Sequence, residues 1–267
     1  ASLDYARNRP QGRPMGPAGK DPAQPQIRII EHADVKRMLL AQKAYCEGAL
    51  ALELYCARLV DEQHTGDAGA ADDARLMLEV LTPIAKSWPS EWCLEANSLA
   101  IQIHGGYGYT RDFPVEQYWR DNRLNMIHEG THGIQALDLL GRKAVMQQGA
   151  AIALFGRTLQ ATVEQARARP ALAPHAEALQ AAWGEVLATL AVLTPLLRSD
   201  GDRALANASV FLEAFGHTVL AWTWLRQAVV ADGALAQAAT PQDADFYRGK
   251  LQACRWFFHW ELPRTAP

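Results

Sequence analysis

The chain has 267 residues, 49% apolar and 21% charged, a balance that excludes general disorder and suits one or two packed domains. Lys and Arg total 26 against 29 Asp and Glu, and the resulting net charge of −3 argues against a dedicated nucleic-acid binder. No stretch approaches the ~20 apolar residues of a membrane span, and Ala1 to Pro14 shows no charged-then-apolar leader, so a cytoplasmic protein with no membrane partner is expected.

Ala1 to Arg7 has a helical pattern with no N-cap before it, as though the chain begins inside a helix. Prolines 10, 14, 17, 22 and 25 and glycines 12, 16 and 19 then make a long loop. A helix is predicted over 33–63, where Val35, Met38, Leu39, Leu52 and Leu59 recur at helical intervals. Its length of about 45 Å suits a bundle. After the Gly66–Gly69 turn a second helix is predicted from about 72 to 103, with Pro83 and Pro89 placed to kink or split it. Gly105, Gly106 and Gly108 end it. A short helix over 114–122 follows, then one near 133–148. Beyond Gly149 helical patterns lie near 150–168, 173–198, 202–231 and 242–261, and strand signals are almost absent. The expected fold class is all-α, in two helical units, 1–145 and 146–267. Cys46, Cys56, Cys93 and Cys254 form no C-x-x-C pair and read as buried thiols in a reducing compartment.

Three segments could carry chemistry. His128-Glu129-Gly130-Thr131-His132 matches H-E-x-x-H, the zinc-peptidase signature. Gly130 and Gly133 weaken the continuous helix which that motif needs, Gln135 and Asp138 stand where the extended form wants Gly and His, and no spacing singles out a third ligand, Glu164 included. Gln102-Ile103-His104-Gly105-Gly106-Tyr107-Gly108-Tyr109 has more glycine than a helix stop requires, and its backbone could admit an anion or the polar edge of a cofactor. Arg120-Asp121-Asn122-Arg123 reads as a solvated cluster capping a short helix. Glu129, following Met126 and Ile127, is expected to pack inward, where apolar neighbours would disfavour its charge and raise its pKa toward that of a general base.

Read together, Q-x-x-G-G-x-G-Y-T-R-D-x-P-V-E from Gln102, then R-D-x-R from Arg120 and E-G-T at Glu129-Gly130-Thr131, resemble the C-terminal helical domain of acyl-CoA dehydrogenases. The likeness runs from Tyr5-x-x-x-Arg9 to about Arg142. Residues from about 146 resemble the helical extension of the subfamily that includes 3-methylmercaptopropionyl-CoA dehydrogenase, with Phe246-Tyr247, Lys250-Leu251 and Arg255-Trp256-Phe257 in its closing helix. The resemblance implies a four-helix-bundle-type domain and α,β-dehydrogenation of a short or substituted acyl-CoA, with FAD as hydride acceptor, in fatty acid metabolism. Glu129 would be the base. Arg9, Gln102, Gly105, Gly106 and Thr131 would contact FAD, in part across a dimer interface, while His128 and Gly130 would border the substrate. A homodimer or tetramer and an electron-transfer flavoprotein are the implied partners. His128 replaces the usual aromatic before the base, and His132-Gly133 replaces a polar pair. The family's N-terminal helical and middle β-domains are absent, so the expectation is a fragment that binds FAD poorly and is inactive alone. The remaining alternatives are the zinc peptidase and a non-catalytic assembly or DNA-associated homologue.

Overall fold

Apolar stripes at helical spacing and glycine stops produce ten α-helices among the described residues, which in this computed structural model are 1–265. Those residues contain no strand, only one antiparallel bridge between Pro10 and Arg28. The all-α expectation therefore holds. Helix α1 (Ser2–Asn8) precedes the proline-rich loop, and α2 (Ala33–Thr65) and α3 (Ala68–His104) then form a long antiparallel pair. The Asp67 carboxylate caps α3 by accepting from the Ala70 N–H at 2.9 Å.

Of the two outcomes expected at Pro83 and Pro89, a kink or a split, the split does not occur, and α3 is continuous through both. Met77, Val80, Leu81, Ile84 and Trp88 along the same stretch are buried in the core. That packing outweighs the ~3 kcal/mol cost of an interior proline.

Helices α4 (Val115–Arg123) and α5 (His132–Asp138) follow. The helix predicted over 133–148 is shorter than expected. It passes into a π-turn at Leu139–Lys143 and breaks where Gln147 and Gln148 take left-handed φ values of 46° and 58°. The buried Lys143 ammonium is paired with Glu79, which ties the π-turn to α3. The second half comprises α6 (Ala150–Arg167), α7 (Ala173–Ser199), α8 (Gly201–Leu205), α9 (Ala208–Leu235) and α10 (Pro241–Trp256). The predicted 202–231 helix is thus two, interrupted before Ala208. Helix α9 is apolar on all sides because it runs through the interior, burying Phe215, Val219, Trp222, Trp224 and Leu225.

Two further expectations are corrected. Helix α7 is long and apolar enough, by length and composition alone, to cross a membrane, although Leu179, Trp183 and Val186 pack it into the core. Cys56 and Cys254 are buried and Cys93 partly so, but Cys46 is exposed.

One hydrophobic cluster runs from α2 and α3 through α6, α7, α9 and α10. Its closest approach is at Gly48, where an added Cβ would lie 2.7 Å from Trp224 Nε1. That indole N–H donates to the Ala44 carbonyl at 3.1 Å. One turn away the Tyr45 hydroxyl donates to the buried Glu261 carboxylate at 2.8 Å. Burial first, and Glu261 second, push the Tyr45 pKa far above the ordinary phenol value, so it remains the donor. Gly48→Ala drives a methyl group into this contact and is expected to cost about 1–3 kcal/mol. Thermal or urea denaturation reads the loss, and an unchanged midpoint would show that α9 does not depend on this approach.

Candidate functional site

Two separate groups of predicted site residues are formed, at different levels of α3. The first gathers at its C-terminal end. The Tyr5 ring stacks on His104 with centroids 4.2 Å apart, and Phe113 meets both rings. This holds α1 against the glycine turn and places the Arg9 guanidinium 5.5 Å over the Tyr107 ring. Arg9 Nε is buried without a hydrogen-bond partner, the condition of a donor awaiting an acceptor.

The glycines of this turn differ in purpose. Gly105 has φ 60° and ends α3, its N–H donating to the Gln102 carbonyl. Gly108 is packed so tightly that a Cβ would fall 2.5 Å from the Ile101 carbonyl oxygen. Gly106 has neither reason: a Cβ there meets nothing within 4 Å. Its bareness leaves an open cradle on the surface, beside exposed Gln102.

The second group surrounds Glu129, about four turns back along α3. Asn125 and Asn122 are roped to α3 through Lys86 Nζ donating to the Asn125 carbonyl at 2.5 Å and Asn122 Nδ2 donating to Asn97 Oδ1 at 2.8 Å. The chain then turns sharply, with Glu129 at φ 52° and Gly130 at φ 104°. A non-glycine residue in the left-handed region is uncommon, and surrounding contacts must hold it there. The Gln135 side-chain amide donates to the Glu129 carbonyl at 3.5 Å. His132, the first residue of α5, bridges to α3, with Nε2 3.2 Å from Ser90 Oγ and Nδ1 3.3 Å from a Glu91 carboxylate oxygen. Thr131 is exposed at the N-cap of α5 and makes no side-chain cap bond.

Glu129 and His128 stand at the edge of a groove of about 660 Å³ between α2 and α3. Cys56, Val60, Leu78 and Ala85 supply its apolar floor. The expectation that Glu129 packs inward is not met: its side chain is 79% exposed, and Ile127 is 52% exposed. The turn lies on the outer surface of α3, and no segment of the described residues covers it. His128 Nε2 lies 3.8 Å from the Glu129 carboxylate with its own side chain 59% exposed.

The zinc-peptidase geometry is not formed. His128 precedes the turn and His132 follows it, so no continuous helix sets them one turn apart, and His132 is held by Ser90 and Glu91. Arg120 and Asp121 are exposed and locally paired, to Glu116 at 3.2 Å and Gln117 at 2.7 Å, as the solvated reading expects. Lys86, Ser90 and Glu91 were invisible in the sequence because α3 periodicity absorbs them; only their one-turn spacing hints at a shared face.

The two groups are not brought together within one chain. Fifteen residues of α3 separate Ser90 from Gly105, roughly 22 Å of helix. Gln102, Gly105, Gly106 and Arg9 gather in one group, and His128, Glu129, Gly130 and Thr131 in the other.

A family model described as acyl-CoA dehydrogenase, C-terminal domain, matches residues 20–144, and one described as acetyl-CoA dehydrogenase C-terminal like matches 155–267. The 3-methylmercaptopropionyl-CoA dehydrogenase of Ruegeria pomeroyi is 36% identical over 251 residues, 94% of this chain and 42% of that protein. The broad-specificity linear acyl-CoA dehydrogenase FadE5 of Mycobacterium tuberculosis is 33% identical over 98% of this chain and 44% of its own length. A solved acyl-CoA dehydrogenase complexed with FAD, from Bacillus anthracis, has the same fold, with a TM-score of 0.71 at 17% identity over 99% of this chain and 44% of that one. The chain therefore spans less than half the length of these proteins.

His132→Ala removes the bridge between α5 and α3. Backbone amides of Ile127–Gly133 are expected to exchange about fivefold faster or more, the equivalent of the ~1 kcal/mol of one hydrogen bond. Hydrogen-exchange mass spectrometry measures this, and unaltered protection across the turn would show that His132 does not hold it.

Proposed function

The chain belongs to the acyl-CoA dehydrogenase family, as its C-terminal helical region, and from this we propose that it contributes the base-bearing half of an acyl-CoA α,β-dehydrogenation site. The observation that carries the reading is Glu129, fixed in a left-handed turn at the mouth of an apolar-floored groove. An acyl chain lies on such a floor by burial of its methylenes. The Glu129 carboxylate takes the α-proton of the thioester, and donors at the thioester carbonyl, among them the Glu129 backbone N–H, lower the cost of the enolate-like charge. FAD, when bound, supplies the acceptor for the β-hydrogen leaving as hydride, and the product is the 2,3-enoyl-CoA.

The residues present fit a dinucleotide. Arg9 has an unpaired buried donor, and the Gly106 cradle beside it is bare of side chain. Backbone N–H groups and a guanidinium suit a diphosphate. Thr131, beside the base, would contact the flavin end. The two groups, roughly 22 Å apart along α3, are proposed, as the family resemblance implies, to serve different active sites in a homodimer or a larger assembly, each nucleotide touching two copies. Electron-transfer flavoprotein is the proposed reoxidant. The substrate is proposed to be a short or substituted acyl-CoA of the 3-methylmercaptopropionyl kind, in keeping with the 36% identical relative. A chain holding Glu129 this exposed is expected to turn over slowly or not at all by itself, because water competes for every polar contact of the carboxylate.

In FAD-loaded holoenzyme, Glu129→Gln is expected to reduce the rate of flavin bleaching by acyl-CoA about 10²–10⁴-fold while flavin absorbance is retained. Stopped-flow absorbance reads both, and bleaching at the wild-type rate would sink the assignment. Arg9→Met is expected to do the reverse, lowering retained flavin and leaving Glu129-dependent proton exchange at the substrate α-carbon in the flavin-saturated enzyme.

A further inference from the structure

A second groove, of about 450 Å³, lies between α2, α9 and α10. Its α2 residues are Ala51, Leu54, Tyr55 and Arg58, whereas the Glu129 groove uses Glu53, Cys56, Ala57 and Val60. At about 100° per residue these sets fall on opposite faces of α2, so the two grooves are independent.

The second groove has donors without acceptors. Three cations line it, Arg58, Arg226 and Lys250, and no carboxylate does. Arg58 is satisfied by Glu62 at 2.6 Å, and Lys250 by Glu47 at 2.7 Å and Gln227 Oε1 at 3.1 Å. Arg226 is different. Its guanidinium lies 4.7 Å from the Tyr55 ring centroid and 4.8 Å from that of Trp222, with no carboxylate partner among the described residues. Beside it, Gln227 spends its carbonyl on Lys250, and its Nε2 is buried without an acceptor. Around these donors the apolar side chains are unusually bare, with Leu54 62%, Val230 68% and Phe246 57% exposed.

We infer that this groove binds a small anionic amphiphile, a carboxylate or phosphate monoester on an apolar body. The head group accepts from Arg226, and the body lies on Leu54, Val230 and Phe246. An anion cancels a cation that the chain leaves uncompensated, and a guanidinium held over rings is pre-aimed for bidentate contact with planar or tetrahedral oxyanions. The apolar rim explains why a bare inorganic ion would fit poorly, since it leaves that surface in water.

The test titrates the chain with decanoate, decyl phosphate, decanol and inorganic phosphate, read by calorimetry and by tryptophan emission, to which Trp222 reports. Decanoate or decyl phosphate is expected to bind at least about tenfold more tightly than decanol or phosphate, and the stronger of the two identifies the head group. Arg226→Met, which keeps the apolar stem, is expected to weaken binding about tenfold, and Phe246→Ala, at an exposed position, to weaken it severalfold. Glu129→Gln is expected to leave it unchanged, which separates this site from the proposed dehydrogenation site. Equal binding of decanol and decanoate, equal binding of phosphate and decyl phosphate, or full binding by both groove variants would overturn the inference.

Discussion

The continuity of α3 is the constraint on which the site geometry depends. One 37-residue helix carries the anchor points of both groups of site residues, Ser90 and Glu91 under the Glu129 turn and Gln102 beside the glycine turn. A rigid helix fixes their separation, because each residue adds about 1.5 Å and nothing in the chain folds the ends together. The two groups therefore stay apart within one chain. The remaining helices pack around that rod: α2 runs along it, and α9 and the segment after α10 join α2 at Trp224 and Tyr45.

Much of this was legible in the sequence. The periodicity of α2 and α3, the glycine stop at Gly105 and the turn at Glu129-Gly130 are local signals, and local signals decide local structure when the tertiary context agrees. The failures fall where it does not agree. Pro83 carries a strong local penalty that a continuous apolar seam overrides, and no propensity scale contains the seam. Gln147 and Gln148 adopt left-handed backbone although only Gly149 after them signals a break in the sequence, and the π-turn before them is pinned to Glu79 on another helix through Lys143. The exposure of Cys46 was hidden by the common burial of cysteine.

The candidate site was legible in its residue types and not in its spatial division. Glycine counts in the Gln102–Tyr109 segment pointed to a ligand without separating the three roles. Gly105 is required by conformation and Gly108 by packing, and only Gly106 is left over for something outside the chain. Likewise the two histidines of the 128–132 segment look equivalent in sequence. In space one is loose beside the carboxylate and the other is a strut between α5 and α3.

Glu129 itself shows why the burial expectation and the functional reading can part company. A catalytic carboxylate needs two things from a protein, a fixed position and a dry environment, and they come from different contacts. Position is local: a left-handed turn, the Gln135 amide on its carbonyl and the His132 strut set the backbone within a few residues of Glu129. Dryness is not local, since it requires atoms over the carboxylate that these helices do not provide. The described residues supply the costly conformational part and leave the carboxylate 79% exposed. The same reasoning applies at Arg9, whose buried Nε has lost water without gaining an acceptor. Within these residues Glu129 is thus left without a cover and Arg9 Nε without an acceptor.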